Sequence, residues 1–245
     1  MPTIVIASPK GGVGKSTTAN ILMTCLAGRG ASVIGIDADH NRPQMQWAKA
    51  AGVRLPQEQN KTEPKILPSL SIIEATAENS IIATIQDAAR RTQFVVVDLE
   101  GVASQAATYA ISQADLVIVP CGPSFLDARE AVAALRVVAE CEKLSRVPIR
   151  IPAAVLLTKT SPAVKPDTQR DVERQFATHK TPVYDVQLHQ RTAYAAIFSR
   201  GASLHGLNPG KIHKLHIAIE NAEAFVAETI RRLDRAQTDS KKAVA

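Results

Sequence analysis

The sequence predicts an α/β chain in three layers, a mostly parallel twisted sheet with helices on both faces. Three observations carry that expectation. Short β-prone runs alternate with helical stretches, a pattern that favours parallel pairing through crossover helices. The first run, Thr3-Ile4-Val5-Ile6-Ala7, enters a glycine-rich turn, Lys10-Gly11-Gly12-Val13-Gly14-Lys15-Ser16-Thr17, that opens a helix. Later runs end in aspartates, Asp37 and Asp98, where a parallel sheet opens its crevice. With 245 residues and 45% apolar side chains, one domain over 1–245 is expected, turning to a polar tail from about residue 237.

The run from Ser16 to Arg29 has helical spacing and stops at Gly30, a residue suited to a C-cap. Ser32 to Ile36 is the next strand and leads into Asp37-Ala38-Asp39. Trp47, the sole tryptophan, reads as a packing residue of the helix after Pro43. The Pro-punctuated stretch from Pro56 to Pro68 is a surface loop, and Leu70 to Glu74 a short strand. Asn79 or Ser80 can cap a helix with Ile81, Ile82, Ile85 and Ala89 on its apolar side. That helix ends at Arg90-Arg91, where the helix dipole favours cations. Phe94 to Val97 is a strand, Ala103 to Gln113 a helix and Asp115 to Pro120 a strand. Ser124 suits the N-cap of a long helix, Leu126 to Leu144. A strand at Ile151 to Leu157, a helix at Asp167 to Thr178 and a short last strand at Val183-Tyr184 follow. Arg191 to Arg200 is helical and closes at Gly201. The final helix, starting at Asn208-Pro209, carries Ile212, Leu215, Ile219, Ala222, Val226 and Leu233 on one face.

The chemistry begins in the glycine-rich turn. Its backbone N–H groups, beside the positive end of a helix, form a phosphate cradle. Lys15 would neutralise β- and γ-phosphates and the Ser16 hydroxyl would help hold Mg²⁺. Gly11, Gly12, Val13, Gly14 and Thr17 complete this ATP-binding stretch. Four β-formers ending in Asp98 are a Walker B signal, with Asp98 holding Mg²⁺ through water.

An ordinary phosphate loop, G-x-x-x-x-G-K-[ST], would place glycine at position 9, but the chain has Pro9, then Lys10 and a glycine pair. The wording K-G-G-x-G-K-[ST] resembles the deviant phosphate loop of the ParA/MinD ATPases. That resemblance implies a homodimer closed over two ATP molecules, with Lys10 reaching the partner's phosphates and Gly12 small because two backbones pass there. It implies that Asp37 supports Mg²⁺ or the surroundings of Lys15, and that Asp39 positions the attacking water. Lys10, Lys15 and Asp39 are then the catalytic set. It further implies a switch in which the Gly101 N–H, three residues after Asp98, senses the γ-phosphate, and that Thr158 and Lys159 border the base. Pro120-Cys121-Gly122-Pro123-Ser124, continuing to Asp127, is similar to the family's P-x-x-P-S-x-x-D near the dimer face. On the residues alone that segment is equally a strand–loop–helix corner, and for one of Asp37 and Asp39 the lesser alternative is a cap on the next helix. Two departures stand out. Asp39-His40-Asn41-Arg42-Pro43 replaces the common D-P-Q-G and resembles a ParA-like subgroup acting in T-DNA transfer. Asp98-Leu99-Glu100 replaces D-x-P and brings Glu100 near the γ-phosphate, as a general base or as a repelling charge.

The net charge of +6 is uneven. Residues 191–245 hold nine Lys/Arg against five Asp/Glu, whereas the preceding 190 hold 20 against 18. A basic C-terminal region suits non-specific DNA binding, with Arg191, Arg200, Lys211, Lys214, Arg231, Arg232 and Arg235 as its pool. A solvated basic helix end is the plainer alternative. Cys25, Cys121 and Cys141 lack metal-ligand spacing, and Cys25 and Cys141 fall on apolar helical stretches as core fillers. No signal peptide and no apolar run near ~18 residues is visible. Thr238 to Ala245 offers only Val244 as a membrane anchor, so no membrane contact is expected. The chain is therefore expected to be cytoplasmic, and nucleoid-associated when ATP-bound. By resemblance it is a Mg²⁺-dependent ATPase, weak alone, that binds DNA as an ATP dimer in plasmid or chromosome partition, stimulated by a ParB-like activator. The alternatives are an accessory ATPase of conjugative or T-DNA transfer, partnered by a relaxase complex, and a cargo-positioning ATPase without DNA contact.

Overall fold

The computed structural model describes residues 1–55, 66–75, 81–144 and 150–244, with side chains described as far as residue 239. Of the loop expected over Pro56 to Pro68, residues 56–65 lie outside the described residues, as do the capping candidates Asn79 and Ser80. Strands and helices alternate: β1 (Thr3–Ile6), α1 (Lys15–Gly28), β2 (Val33–Ala38), α2 (Pro43–Ala51), β3 (Leu70–Glu74), α3 (Ile81–Arg91), β4 (Phe94–Leu99) and α4 (Gln105–Ser112). Then follow β5 (Leu116–Cys121), α5 (Phe125–Leu144), β6 (Ala153–Thr160), α6 (Asp167–Thr178), β7 (Leu188–His189), α7 (Thr192–Arg200) and α8 (Leu215–Val244).

The strands form one parallel sheet in the order β3-β2-β4-β1-β5-β6-β7. This is the P-loop NTPase architecture expected from the sequence. β1 lies between β4 and β5. Chain progression runs one way from it through β2 and β3 and the other way through β5 to β7, so the carboxyl end of β1 is a topological switch point, where α/β sheets bind ligands. Register also places carboxylates there, because Asp37 of β2 stands opposite Asp98 of β4.

Each face of the sheet has its own apolar core. Ile4 and Ile6 of β1 join Leu22, Trp47 and Phe225 on one side, and Val5 joins Ile85, Ala110 and Ala131 on the other. Alternate residues of a strand point to opposite faces, so one strand feeds both cores. α1 is buried along nearly its whole length, since α2, α7 and α8 cover the side turned from the sheet. Gly35 lets α1 lie close to β2: a Cβ there would collide with the Met23 sulfur and sit 2.6 Å from Ile72 Cδ1. Trp47 is buried as expected, its indole N–H donating to the Ala202 carbonyl at 3.1 Å.

Three expectations are corrected near the C-terminus. The last strand is β7; Val183 makes only an isolated bridge to Val155. The chain leaves the sheet there because Glu228 of α8 accepts the Asp185 and Val186 N–H groups at 3.0 and 2.8 Å. The last helix starts at Leu215, not Asn208. Asn208 instead accepts the Gly210 N–H in a turn at 2.8 Å, and Lys214 holds φ 52, a left-handed value that interrupts a helix. The expected tail from about 237 is helical to Val244. No described helix is long and apolar enough to cross a membrane.

Candidate nucleotide site

The loop between β1 and α1 turns on two glycines. Gly12 has φ 77 and Gly14 φ 95, values that residues with a Cβ rarely adopt. Within this chain nothing lies within 4 Å of a Cβ placed on Gly12, so its need for glycine here is conformational. The loop opens on a cleft of about 940 Å³, lined among others by Gly11, Gly12, Gly14, Lys15, Ser16 and Thr17. Asp39, Asn41, Glu100, Gly101, Ser104 and Lys159 line it from the other loops.

The two loop lysines have different surroundings. Lys15 is buried, and its ammonium donates to the Lys10 carbonyl at 3.0 Å. Burial lowers its pKa, while Asp98, Asp39 and Glu100 push back towards the charged form. The Lys10 side chain is 40% exposed, pairs with Asp127 at the start of α5, and does not line the cleft of its own chain. Ser124 fixes that aspartate, donating its hydroxyl to Asp127 Oδ2 at 2.8 Å and accepting the Asp127 N–H at 3.2 Å. Ser124 is thus the expected cap of α5 and also the orienter of Lys10's partner.

Asp98 is 1% exposed. Burial pushes its pKa up to about 7, against hydrogen bonds from Gln44 and Ser16 that favour the ionised form. Its Oδ2 accepts the Gln44 amide at 2.9 Å, and its Oδ1 is buried without a hydrogen-bond partner. A buried carboxylate oxygen left unmatched beside a hydroxyl is what a hard cation such as Mg²⁺ coordinates. The residues therefore fit the ion.

Asp37 holds the start of α2. Its Oδ2 accepts the Gln44 and Met45 N–H groups at 2.8 and 2.9 Å, and its Oδ1 accepts the Asp39 N–H at 3.3 Å. It caps α2 from the end of β2, because Pro43 occupies the first helical position and Arg42 before it offers no capping oxygen. Burial still pushes its pKa up to about 6. In the ligand-free chain Asp37 thus supports α2, and through α2 Gln44, from a position opposite Asp98.

Gln44 is the residue that sequence reasoning missed. Fully buried, it accepts from the Asn20 amide at 3.1 Å and donates to the Ser16 carbonyl at 2.8 Å as well as to Asp98. It joins α1, the phosphate loop and the end of β4. The available signal was its place directly after a proline at a helix start.

Asp39 lines the cleft and accepts the Asn41 backbone and side-chain N–H groups at 2.8 and 3.0 Å. His40, next to it, pairs with Glu100 at 2.8 Å, which raises the imidazole pKa. Gly101 follows Glu100 in the lining.

Thr158 and Lys159, expected beside the base, brace the phosphate loop in the ligand-free chain. Thr158 is buried and donates to the Val13 carbonyl at 2.7 Å, and Lys159 donates to the Gly12 carbonyl. Both side chains are committed to the loop backbone in this chain, although Lys159 still borders the cleft.

The basic pool divides. Arg232 leaves it: its guanidinium sits 4.3 Å from the Tyr184 ring centroid, bonds Glu228 and donates to the Val183 carbonyl. Arg191 is half-buried at the start of α7, with its Nε enclosed. Arg200, Lys211, Lys214, Arg231 and Arg235 are exposed. Arg90 and Arg91 pair with Asp87 on their own helix.

Known proteins resemble the chain over nearly its full length. The family model described as VirC1 protein matches residues 1–237. "Protein ParA" of Rhizobium radiobacter is 38% identical over 236 residues, covering 96% of this chain and 99% of that protein. Among solved structures, the MinD cell division protein of Aquifex aeolicus superposes with a TM-score of 0.68 at 19% identity, over 93% of this chain and 98% of that one. A putative plasmid partition protein from Borrelia burgdorferi B31, bound to AMPPNP, gives 0.66 at 18% identity, over 94% and 99%.

Proposed function

Because the chain belongs to the VirC1 family of ParA-like P-loop ATPases, we propose that it is a Mg²⁺-dependent ATP hydrolase that closes as a dimer over nucleotide and binds DNA in that state. One observation carries the reading. Lys15 is drawn into the cleft, whereas Lys10 stands outside it, held by an aspartate on a neighbouring element. A lysine that does not serve its own cleft is free to serve a second one across a dimer face.

In this scheme the loop amides and Lys15 hold the phosphates, and Thr158 and Lys159 keep the Gly12 and Val13 carbonyls turned away from them. Ser16 and Asp98 would hold Mg²⁺, with Gln44 fixing the Asp98 carboxylate. The chemistry a bound magnesium ion supplies is charge neutralisation across the β- and γ-phosphates. Asp39 orients the attacking water, Lys10 from the partner offsets charge developing on the transferring phosphoryl group, and the Gly101 N–H senses the γ-phosphate. The exposed cations Arg200, Lys211, Lys214, Arg231 and Arg235 supply the DNA affinity, which falls steeply with salt. Plasmid partition with a ParB-like activator is the cellular role favoured by the ParA relative. The VirC1 match favours, as a second reading, service to a DNA-transfer complex.

Lys15→Ala should abolish ATP binding, and Lys10→Ala should keep binding but lose hydrolysis. Sizing with a non-hydrolysable analogue and Mg²⁺ reads the dimer, and anisotropy on DNA at low salt, with and without ATP, reads the DNA step. A chain that stays monomeric with saturating analogue, or equal loss of binding in both variants, overturns the dimer. Absence of ATP-dependent DNA binding leaves a cargo-positioning ATPase.

A further inference from the structure

Away from the nucleotide cleft, three side chains from distant parts of the sequence converge. Cys25 lies on α1, His205 in the short 3₁₀ turn over Leu204–Gly206, and Glu223 on α8. The Cys25 sulfur, an imidazole nitrogen of His205 and a carboxylate oxygen of Glu223 all lie within 4.8 Å of one another. Thiol, imidazole and carboxylate together are a zinc-type donor set. Bonds of ~2.0–2.3 Å to a tetrahedral ion put its ligand atoms roughly 3.3–3.8 Å apart, so the cluster needs only a small contraction.

The local contacts favour that contraction. His205 Nε2 is already 3.2 Å from Glu223 Oε1. Arg29 takes the other carboxylate oxygen, donating from Nε to Oε2 at 2.8 Å, which leaves Oε1 turned to His205. Cys25 is closed to solvent from its own side, whereas His205 is 43% and Glu223 28% exposed, so the cluster opens outward through the turn. The turn is short and exposed at its middle residue, which lets the imidazole adjust. The thiol is deep and the imidazole exposed, an arrangement suited to capture from solvent.

We propose that Cys25, His205 and Glu223 form a binding site for a zinc-type transition-metal ion that pins α8 and the 3₁₀ turn to α1, with water as the fourth ligand. Without metal the Cys25 thiol keeps its proton, because burial and the neighbouring Glu223 carboxylate both raise its pKa. Binding forms the metal–sulfur bond and releases that proton to solvent, so affinity rises with pH. The site is separate from the nucleotide cleft and takes a softer ion than the oxygen-only Ser16 and Asp98 set. Its effect is on how firmly the C-terminal helix is held, because the ligands sit on three separate elements, α1, the turn and α8.

Cobalt(II) is the probe, titrated into the reduced full-length chain with excess Mg²⁺ present to fill hard-ion sites. One equivalent should bind with a sulfur-to-cobalt charge-transfer band in the near ultraviolet, and zinc should displace it. His205→Ala, at an exposed position that does not threaten folding, should weaken binding at least ~100-fold, more than the ~10–100-fold typical of an outer partner. Cys25→Ser should remove the band, and a melting experiment with zinc should raise the transition of the parent chain but not of His205→Ala. Cobalt binding without a sulfur band, or a band unchanged in His205→Ala, overturns the site. So does a band that persists in folded Cys25→Ser, which would assign the sulfur to Cys121 or Cys141.

Discussion

Asp98→Asn tests the electrostatics of the cleft most directly. In the ligand-free chain Asp98 is a buried carboxyl with one oxygen unmatched, and its pKa stands near 7 against an ordinary value of 3.8. Between those values the unfolded chain has lost the proton and the folded chain retains it. Stability therefore falls as pH rises through that window, and Asp37, raised to about 6, adds to the fall at its lower end. The full Asp98 shift corresponds to roughly 4 kcal/mol at one unit per ~1.4 kcal/mol, an upper bound that water entry and relaxation reduce to about 2 kcal/mol. Asparagine keeps an acceptor for the Gln44 amide and removes the charge. Ligand-free Asp98→Asn should then melt about 4–8 °C above the parent at pH 8 and within a degree or two of it near pH 4, at ~2–4 °C per kcal/mol for a chain of this size. Calorimetry across pH 4 to 8 reads it. The parent should also gain thermal stability from Mg²⁺ and nucleotide that the variant lacks. A variant that melts below the parent at pH 8, or a parent whose melting point is flat across the window, refutes the account of Asp98.

Other residues give simpler tests. Gly35→Ala places a methyl against Met23 and Ile72 between α1 and β2, and should cost about 1–3 kcal/mol in denaturant unfolding. Thr158→Val removes the hydroxyl from the Val13 carbonyl with little change of shape. Stability should fall by roughly 1 kcal/mol and titration should show weaker ATP binding, because the phosphate loop loses its brace. Glu228→Ala leaves the Asp185 and Val186 amides and the half-buried Arg232 without their acceptor, a loss of about 3–5 kcal/mol measurable by urea titration.

The fold was legible because its signals are local. β1, the glycine turn and α1 follow one another within 26 residues, and each later strand repeats the pattern of a buried β-run before a helix. α3 and α6 end where the sequence places them, at Arg91 and Thr178. The misses come from long-range contacts. Val183-Tyr184 reads as a strand, yet Glu228, more than forty residues later, takes the amides that would have extended the pairing. Asn208-Pro209 reads as a helix start, yet a side-chain turn and the left-handed Lys214 delay the helix to Leu215. No window of sequence contains the competing partner in the first case. In the second the two conformations are close in propensity and the turn wins.

The site separates along the same line. The glycine loop proposed to hold the phosphates is encoded by adjacent residues, whereas its supports, Gln44, Asp127 and Thr158, are 28 to 145 residues from the atoms they hold. His40 and Glu100 show how far residue-by-residue reading extends. Each stood out alone as a departure, one after β2 and one after β4. Only the sheet order, which makes β2 and β4 neighbours, turns the two departures into a single contact across the mouth of the cleft. Both partners are exposed, so the pair adds little to folding stability. Its consequence is local: it sets the carboxylate of Glu100 at the cleft edge, within electrostatic reach of Lys15. Glu100 is then a carboxylate held at the cleft edge by His40, and a proton on that imidazole tightens the pair while offsetting part of the negative charge that Lys15 feels.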